Sequence, residues 1–524
     1  MAEFDLAAFE RAFRALPSSF KGPGGVAGVV KDGQVIMREA WGYADLATRR
    51  PMTTGTLMPI CSISKQFTCA VLLDVIGDPA RLDGKVRDHL PNFQGKRPGI
   101  TELCNNQSGL RDYWALTVLH GAAAEGVFGA EDAKTLFARM RTTHFDPGSH
   151  YSYSNGNFRI LSDLIEDHAG RSLGELYAER IFDPAKMQTA AFTPDTGNFP
   201  ESAVGYEGND TVGYFPATNR IYWSGDAGIS AALDDMLAWE CFIDGTRDDA
   251  DALYSRLSAP QHFADGTPSR YGFGLSHEMI GDVPISGHGG ALRGFRCRRL
   301  YAPSERLSVV VMFNHQADAH AASLSLMETA LGCGKPKTVP NGQLGNKGSG
   351  LLGHYIDPGT NLALRVSAAG NGAIEAQFAV SPETLTPDAD GVARNASMTL
   401  IQDGDAIRME RPGENLRTTL TRISGVAEND ITGRFHSAEL DAWLDIASTG
   451  NATYGGFEGF LGKGAMQAMY PIGKDVWLLT CQRSMDAPAP GNWTVRIKRD
   501  ATGKMDSLIV GCWLARNIEY RRIA

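Results

Sequence analysis

The chain has 524 residues, of which 43% are apolar and 21% charged, with a formal net charge of −10. This is globular composition for about three domains, enough to bury cores without disulfide or metal staples, and it excludes wholesale disorder. The acidic balance and the lack of a Lys/Arg run argue against a nucleic-acid partner, and no apolar stretch approaches 18 uninterrupted residues, so no membrane-spanning helix is expected.

The start, Met1-Ala2-Glu3-Phe4-Asp5, carries early acids and does not read as a signal peptide. The eight cysteines show no Cys-x-x-Cys pair and read as reduced thiols. Both points favour the cytoplasm. Residues 6, 9, 13 and 16 are apolar at helical spacing, predicting a helix from Phe4 to Leu16. Gly25 to Val30 and Gln34 to Met37 flank Lys31-Asp32-Gly33, the pattern of a hairpin. Phe67 to Ile76 predicts a strongly apolar helix, Phe158 to Ile165 a second one, and Val283 to Ile285 and Leu307 to Phe313 two strands. Strands at both ends with helical material between predict an α+β domain over residues 1–331.

Gly332 to Gly350 is rich in Gly, Lys, Pro and Asn, and 332–348 is expected to be a linker. The tail has short alternating apolar runs and a repeat. Gly353-His354-Tyr355 opens a unit ending Leu420-Thr421-Arg422-Ile423, and Gly433-Arg434-Phe435 opens one ending Tyr520-Arg521-Arg522-Ile523. Two similar all-β domains are expected at 349–424 and 425–524, closed as antiparallel barrels so that no sheet edge is exposed.

Several patterns fail. His277-Glu278-Met279-Ile280-Gly281 lacks the second His of a zinc-protease helix, and Gly22-Pro23-Gly24-Gly25 precedes a strand rather than a helix, so neither metal nor nucleotide chemistry is expected. No Gly-x-Ser-x-Gly elbow is present. Two Ser-x-x-Lys sites occur. Ser18-Ser19-Phe20-Lys21 lies in a turn. Ser62-Ile63-Ser64-Lys65 leads into the apolar helix, where residues three apart share a face, so Lys65 is placed beside Ser62. Burial would lower the Lys65 pKa and make it a base, and a helix N-terminus favours an oxyanion. Tyr151-Ser152-Tyr153-Ser154-Asn155 offers a proton-shuttling Tyr153 and a substrate-orienting Asn155. Gly287-His288-Gly289-Gly290-Ala291 offers glycines that let a substrate backbone approach a strand edge.

Ser-x-x-Lys, Tyr-x-Asn and His-x-Gly in this order resemble the penicillin-recognising serine enzymes, among them class C β-lactamases and D-Ala-D-Ala carboxypeptidases. The runs Cys104–Trp114, Pro216–Arg220, Gly287–Gly294 and Gln482–Pro488 are similar, more closely, to the bacterial D-aminopeptidases. The resemblance implies eight-stranded barrels in the tail, a homodimer, and no cofactor. It implies a peptide, amide or ester with an N-terminal D-residue as substrate, with β-lactams as candidate inhibitors. Ser62 would attack, Lys65 and Tyr153 would move protons, and the oxyanion would sit between the Ser62 N–H and a backbone N–H at Gly290 or Ala291. His288 stands where the wider group carries Lys. A mostly neutral imidazole argues against tight binding of a free carboxylate, although Arg293 could still hold one. The loop from Cys481 to Asn492 is long for a hairpin and is expected to reach the active site, with Asp486 pairing with the substrate amine. A carboxypeptidase or β-lactamase-like esterase, and a catalytically idle binding module of the same fold, remain as competing readings.

Overall fold

The computed structural model describes residues 6–199, 202–333, 346–428, 430–486 and 489–523. Met1 to Asp5 and most of the expected linker lie outside the described residues. At the linker's end, Asn346–Ser349 forms a short helix where only loop was expected.

The first unit is built on an antiparallel sheet of eight strands. Their order is Tyr271–Gly272, Leu275–Ile280, Val283–Leu292, Phe295–Ala302, Leu307–Phe313, Gly24–Lys31, Gln34–Asp45 and Arg50–Pro51. Gly24–Lys31 and Leu307–Phe313 are buried on both faces, which is why they read as nearly continuous apolar runs. Ala27, Val29, Val309 and Val311 pack under the helices Leu6–Ser19 and Ala319–Ala330, through Phe9, Phe13 and Leu326. Val26, Val30, Val310 and Met312 face the larger core, which holds Phe67 and Trp239. The turn between the first two long strands has Asp32 and Gly33 both left-handed (φ 52° and 73°), the geometry that an Asp-Gly pair supplies in a two-residue hairpin. The helix Ser64–Val75 is buried continuously to Leu73, so it carries its lysine through the centre of the unit.

The tail forms two antiparallel barrels, as the repeat predicts, each of eight strands, as the family resemblance implies. The first runs from Gly353–Ile356 to Leu416–Arg422 and closes by pairing its first and last strands. The second runs from Gly433–Ser437 to Ala515–Arg522 and closes through Ala442–Thr449 on Ala452–Gly459, with Gly462–Lys463 appended. The repeated residues form the closing seam. Gly353 and Gly433 have φ of 137° and 146°, and a Cβ at either would meet the guanidinium of Arg422 or Arg522 at 2.5 or 2.9 Å. Each arginine covers the ring two residues on, Tyr355 at 4.6 Å and Phe435 at 5.1 Å. Each also donates to two carbonyls before its first strand, those of Gly350 and Leu352 for Arg422 and of Asp430 and Thr432 for Arg522. One Gly–aromatic–Arg clasp per barrel is the physical content of the repeat.

Candidate active site

Cys61–Ile63 forms a tight 3-10 turn that runs directly into the Ser64–Val75 helix. Cys61 is left-handed (φ 52°) and buried, a conformation that costs a non-glycine residue about 1–2 kcal/mol and makes the chain turn sharply just before Ser62. The expected pair is in contact: Lys65 Nζ lies 3.0 Å from Ser62 Oγ. Lys65 is 0% exposed. It also donates to Asn155 Oδ1 at 2.8 Å and to the carbonyl of Asp226 at 2.6 Å. Burial holds its pKa down to about 8, although the charges of Asp226, Asp486 and Asp112 act upward. The competing Ser18-x-x-Lys21 ends a surface helix, and Lys21 pairs with Asp210 in solvent.

Tyr153 hydrogen-bonds Ser62, and burial raises its phenol well above the usual range, so it stays protonated at neutral pH. Asn155 begins the helix Asn155–Ala169. The run Cys104–Trp114 braces this segment. Asn106 Oδ1 accepts from the Ser154 N–H at 3.1 Å and from Asn157 Nδ2 at 3.0 Å, while Asp112 Oδ1 accepts from the Asn155 N–H at 2.6 Å.

His288 lies inside the strand Val283–Leu292, which is longer than the sequence pattern predicts. Its Nδ1 faces the Gly289 carbonyl at 2.5 Å, so Nδ1 carries the proton, and Nε2 accepts from the Tyr271 hydroxyl at 3.0 Å. Burial, and then the charge of Lys65, hold its pKa down to about 3, so the ring is neutral. The strand Leu275–Ile280 pairs with this strand only as far as Gly287, leaving 288–292 open on that edge. The hairpin turns over Arg293–Gly294 and pairs Leu292 with Phe295. Peptide groups alternate along such a pair, so those of His288, Gly290 and Leu292 face the neighbouring strand and those of Gly289 and Ala291 face the open edge. Gly290 has a different role. A Cβ there would stand 2.3 Å from the Ile60 carbonyl, so the strand and the Ser62 turn can approach only at a glycine. Gly290→Ala should displace that turn, costing about 1–3 kcal/mol in urea unfolding and about a hundredfold in kcat/KM. Wild-type kinetics would exclude this contact as a determinant of Ser62 placement.

A cavity of about 570 Å³ brings Ser62, Tyr153, Asn155 and Gly289 to Ala291 together with Asp486. The loop that carries Asp486 is fixed at its base. Arg483 pairs with Glu125 at 2.6 Å and Glu207 at 3.0 Å, and Met485 is buried in the catalytic core. Ala487 and Pro488 lie outside the described residues. Arg293 does not line the cavity: it pairs with Glu125 at 3.2 Å, and its carbonyl accepts from Asn219. The arginines in the wall are Arg296 and Arg298. Sequence reasoning did not find them, nor Asp112, Tyr271, Val380 and Ser381 from the first barrel, or Trp513 and Leu514 from the second. Only Asp112 and Arg296 had a signal, each inside or next to a family-like run. Among the described residues, no group of three or more His, Cys, Asp or Glu side chains could hold a metal ion, and no helix is long and apolar enough to cross a membrane.

The family model for β-lactamase matches residues 9–331, and that for D-aminopeptidase, domain B, matches residues 345–521. The chain is 53% identical over 523 residues to the D-aminopeptidase of Brucella canis, covering 100% of both. It is 54% identical over 522 residues to that of Cereibacter sphaeroides, covering 99% of each. The solved structure of the octameric penicillin-binding protein homologue from Pyrococcus abyssi shares the fold at 18% identity, with a TM-score of 0.55 over 79% of this chain and 99% of that one.

Proposed function

The chain belongs to the D-aminopeptidase family, and we propose that it releases N-terminal D-residues, D-Ala by preference, from short peptides, amides and esters through an acyl-enzyme on Ser62. It is a serine hydrolase. The observation that carries the reading is a buried Lys65 held 3.0 Å from Ser62 Oγ, in one cavity with the loop carboxylate Asp486.

Lys65 is the resting base. Its pKa of about 8 leaves a useful neutral fraction, whereas the Tyr153 phenol keeps its proton. Ser62 gives its proton to Lys65 and attacks the carbonyl. The oxyanion lies between the N–H groups of Ser62 and Ala291, each worth about 3–4 kcal/mol in the transition state. Ala291 supplies this N–H rather than Gly290, whose peptide is turned to the neighbouring strand. Tyr153, hydrogen-bonded to Ser62, passes a proton to the leaving amine and is recharged from Lys65. Water then reverses the sequence to free the enzyme. Asp486 receives the α-ammonium of the substrate. His288, neutral and engaged by Tyr271, offers no charge to a substrate carboxylate.

The pH dependence follows from two groups. Lys65 acts when neutral, so kcat/KM should rise as pH passes about 8. The substrate amine, with an ordinary pKa of about 7.7–8.0, must stay charged for Asp486, so the profile should fall above that range. D-Alanine p-nitroanilide should give a narrow bell near pH 8, and an ester without an amine only the rising limb. A rising limb centred below pH 7 would remove Lys65 as the base.

The activity is tested with D-alanine, L-alanine and N-acetyl-D-alanine p-nitroanilides, with Ser62→Ala as the blank. Only the first should turn over. Turnover of the acetylated substrate alone would favour the carboxypeptidase- or lactamase-like esterase reading. The same proposal divides the chain at 331/349 and 424/425 and places it in the cytoplasm as a homodimer. Eight free cysteines support the reducing compartment. Light scattering on the eluting protein tests the dimer.

A further inference from the structure

Lys65 Nζ has three oxygen neighbours: Ser62 Oγ, Asn155 Oδ1 and the Asp226 carbonyl. A neutral amine has two N–H donors and one lone pair. Asn155 Oδ1 and the Asp226 carbonyl can only accept, so they take the two donors and leave the lone pair facing Ser62, as a base requires. The main chain fixes the Asp226 carbonyl. The Asn155 amide is not fixed by its shape, because its oxygen and nitrogen ends are nearly alike. Turned over, it would set N–H against Nζ.

Asp112 forbids the turned-over form. Its Oδ1 accepts from both the main-chain N–H of Asn155 (2.6 Å) and its Nδ2 (3.1 Å). A carboxylate has acceptors only, so the nitrogen end of the amide must face it. Its other oxygen caps the helix Tyr113–Leu119, accepting from the Ala115 N–H at 3.2 Å. Asp112 is 1% exposed, and its own N–H donates to the Leu514 carbonyl at 2.9 Å, in the turn of the last hairpin of the second barrel. Burial pushes its pKa up to about 6, so it remains a carboxylate near pH 8.

We infer that Asp112 is a positioning residue for Lys65: it locks the Asn155 amide so that the lysine lone pair faces Ser62, and it ties that lock to the C-terminal barrel through Leu514. The inference rests on the proposed roles of Ser62 and Lys65. It gives the second barrel a hold on the base that is separate from the Asp486 loop.

Two variants of the full chain test it. Asp112→Ser keeps a helix-capping oxygen for Ala115 and withdraws the acceptor from Asn155. Asp112→Asn keeps the shape and brings a donor against a donor. The readouts are kcat and KM for D-alanine p-nitroanilide, and the pH dependence of Ser62 labelling by a fluorophosphonate, which needs no particular substrate. kcat should fall about tenfold or more with KM held within about threefold. The rising limb of labelling should move to lower pH, because the Lys65 ammonium loses an acceptor and a nearby negative charge. In an Asn155→Ala background, Asp112→Ser should have no further effect on kcat.

Unchanged kcat, a fall in kcat with the limb unmoved, or an undiminished effect beside Asn155→Ala would each overturn the inference. So would failure of both variants to fold in thermal denaturation, since Asp112 would then be a structural cap. Labelling of the wild type but not of Ser62→Ala reports separately on the nucleophile, so a wrong assignment there is seen as an unlabelled wild type or as label kept by Ser62→Ala.

Discussion

Ser62→Ala should reduce hydrolysis of D-alanine p-nitroanilide by on the order of 10⁴- to 10⁶-fold, and Lys65→Met should cost nearly as much. Alanine at 62 leaves the cavity, the Ala291 N–H and the Asp486 loop in place but removes the atom that bonds to the carbonyl. Methionine at 65 keeps the packing of a fully buried side chain and removes the base. The two groups act in one step, so their effects should not add: the double variant should be no slower than the worse single one within about threefold. Lys65→Met should retain folding, since a buried amine exchanged for an apolar chain of similar length leaves only the Asn155 and Asp226 oxygens without their donor. A Lys65→Met enzyme with wild-type turnover would mean that the base lies elsewhere.

The second large effect is expected at Asp486. A hydrogen bond to a charged group contributes about 1.5–3 kcal/mol, which at about 1.4 kcal/mol per decade is roughly a tenfold to hundredfold rise in KM for free-amine substrates in Asp486→Asn. kcat should change much less, because the ammonium is bound equally in ground and transition states. A separate consequence is expected for the base. The charge of Asp486 raises the pKa of Lys65 against the larger effect of burial, so its removal should move the rising limb of the pH profile to lower pH, for an amine-free ester as well. The paired outcome, a KM effect confined to amines and a limb shift common to all substrates, separates recognition from a general disturbance of the loop. Equal KM for D-alanine p-nitroanilide in both enzymes would leave the Arg483-anchored loop without a role in amine binding.

Much of the molecule is legible in the sequence because the relevant interactions are local or periodic. The apolar run around Lys65 announces a helix buried on all sides, and a lysine inside it is the signal on which the proposed base rests. The alternating tail, with its two Gly-x-aromatic openings and Arg-Ile endings, announces two closed barrels, and the clasp of Arg422 over Tyr355 and Arg522 over Phe435 explains why those residues repeat. The least legible features are contacts between segments far apart in the chain. Arg293 reads as a candidate for binding a carboxylate because it follows the His-x-Gly strand, yet the turn it occupies carries it to Glu125 and out of the cavity. The Asp226 carbonyl has no sequence signal at all, since every residue has a carbonyl.

The sequence by itself pointed to Ser62 as the proposed nucleophile, to Lys65 beside it through a spacing of three, and to a barrel pair through periodicity and a repeated motif, while the catalytic fold class rests on the resemblance to the penicillin-recognising enzymes. Only the tertiary structure supports the proposed choice of Lys65 over Tyr153 as the resting base, and of Ala291 over Gly290 as the second oxyanion donor. The first depends on burial, which lowers an ammonium pKa and raises a phenol pKa, and burial belongs to the packed core and not to the residue. The second depends on hairpin register, which a shift of one residue would invert.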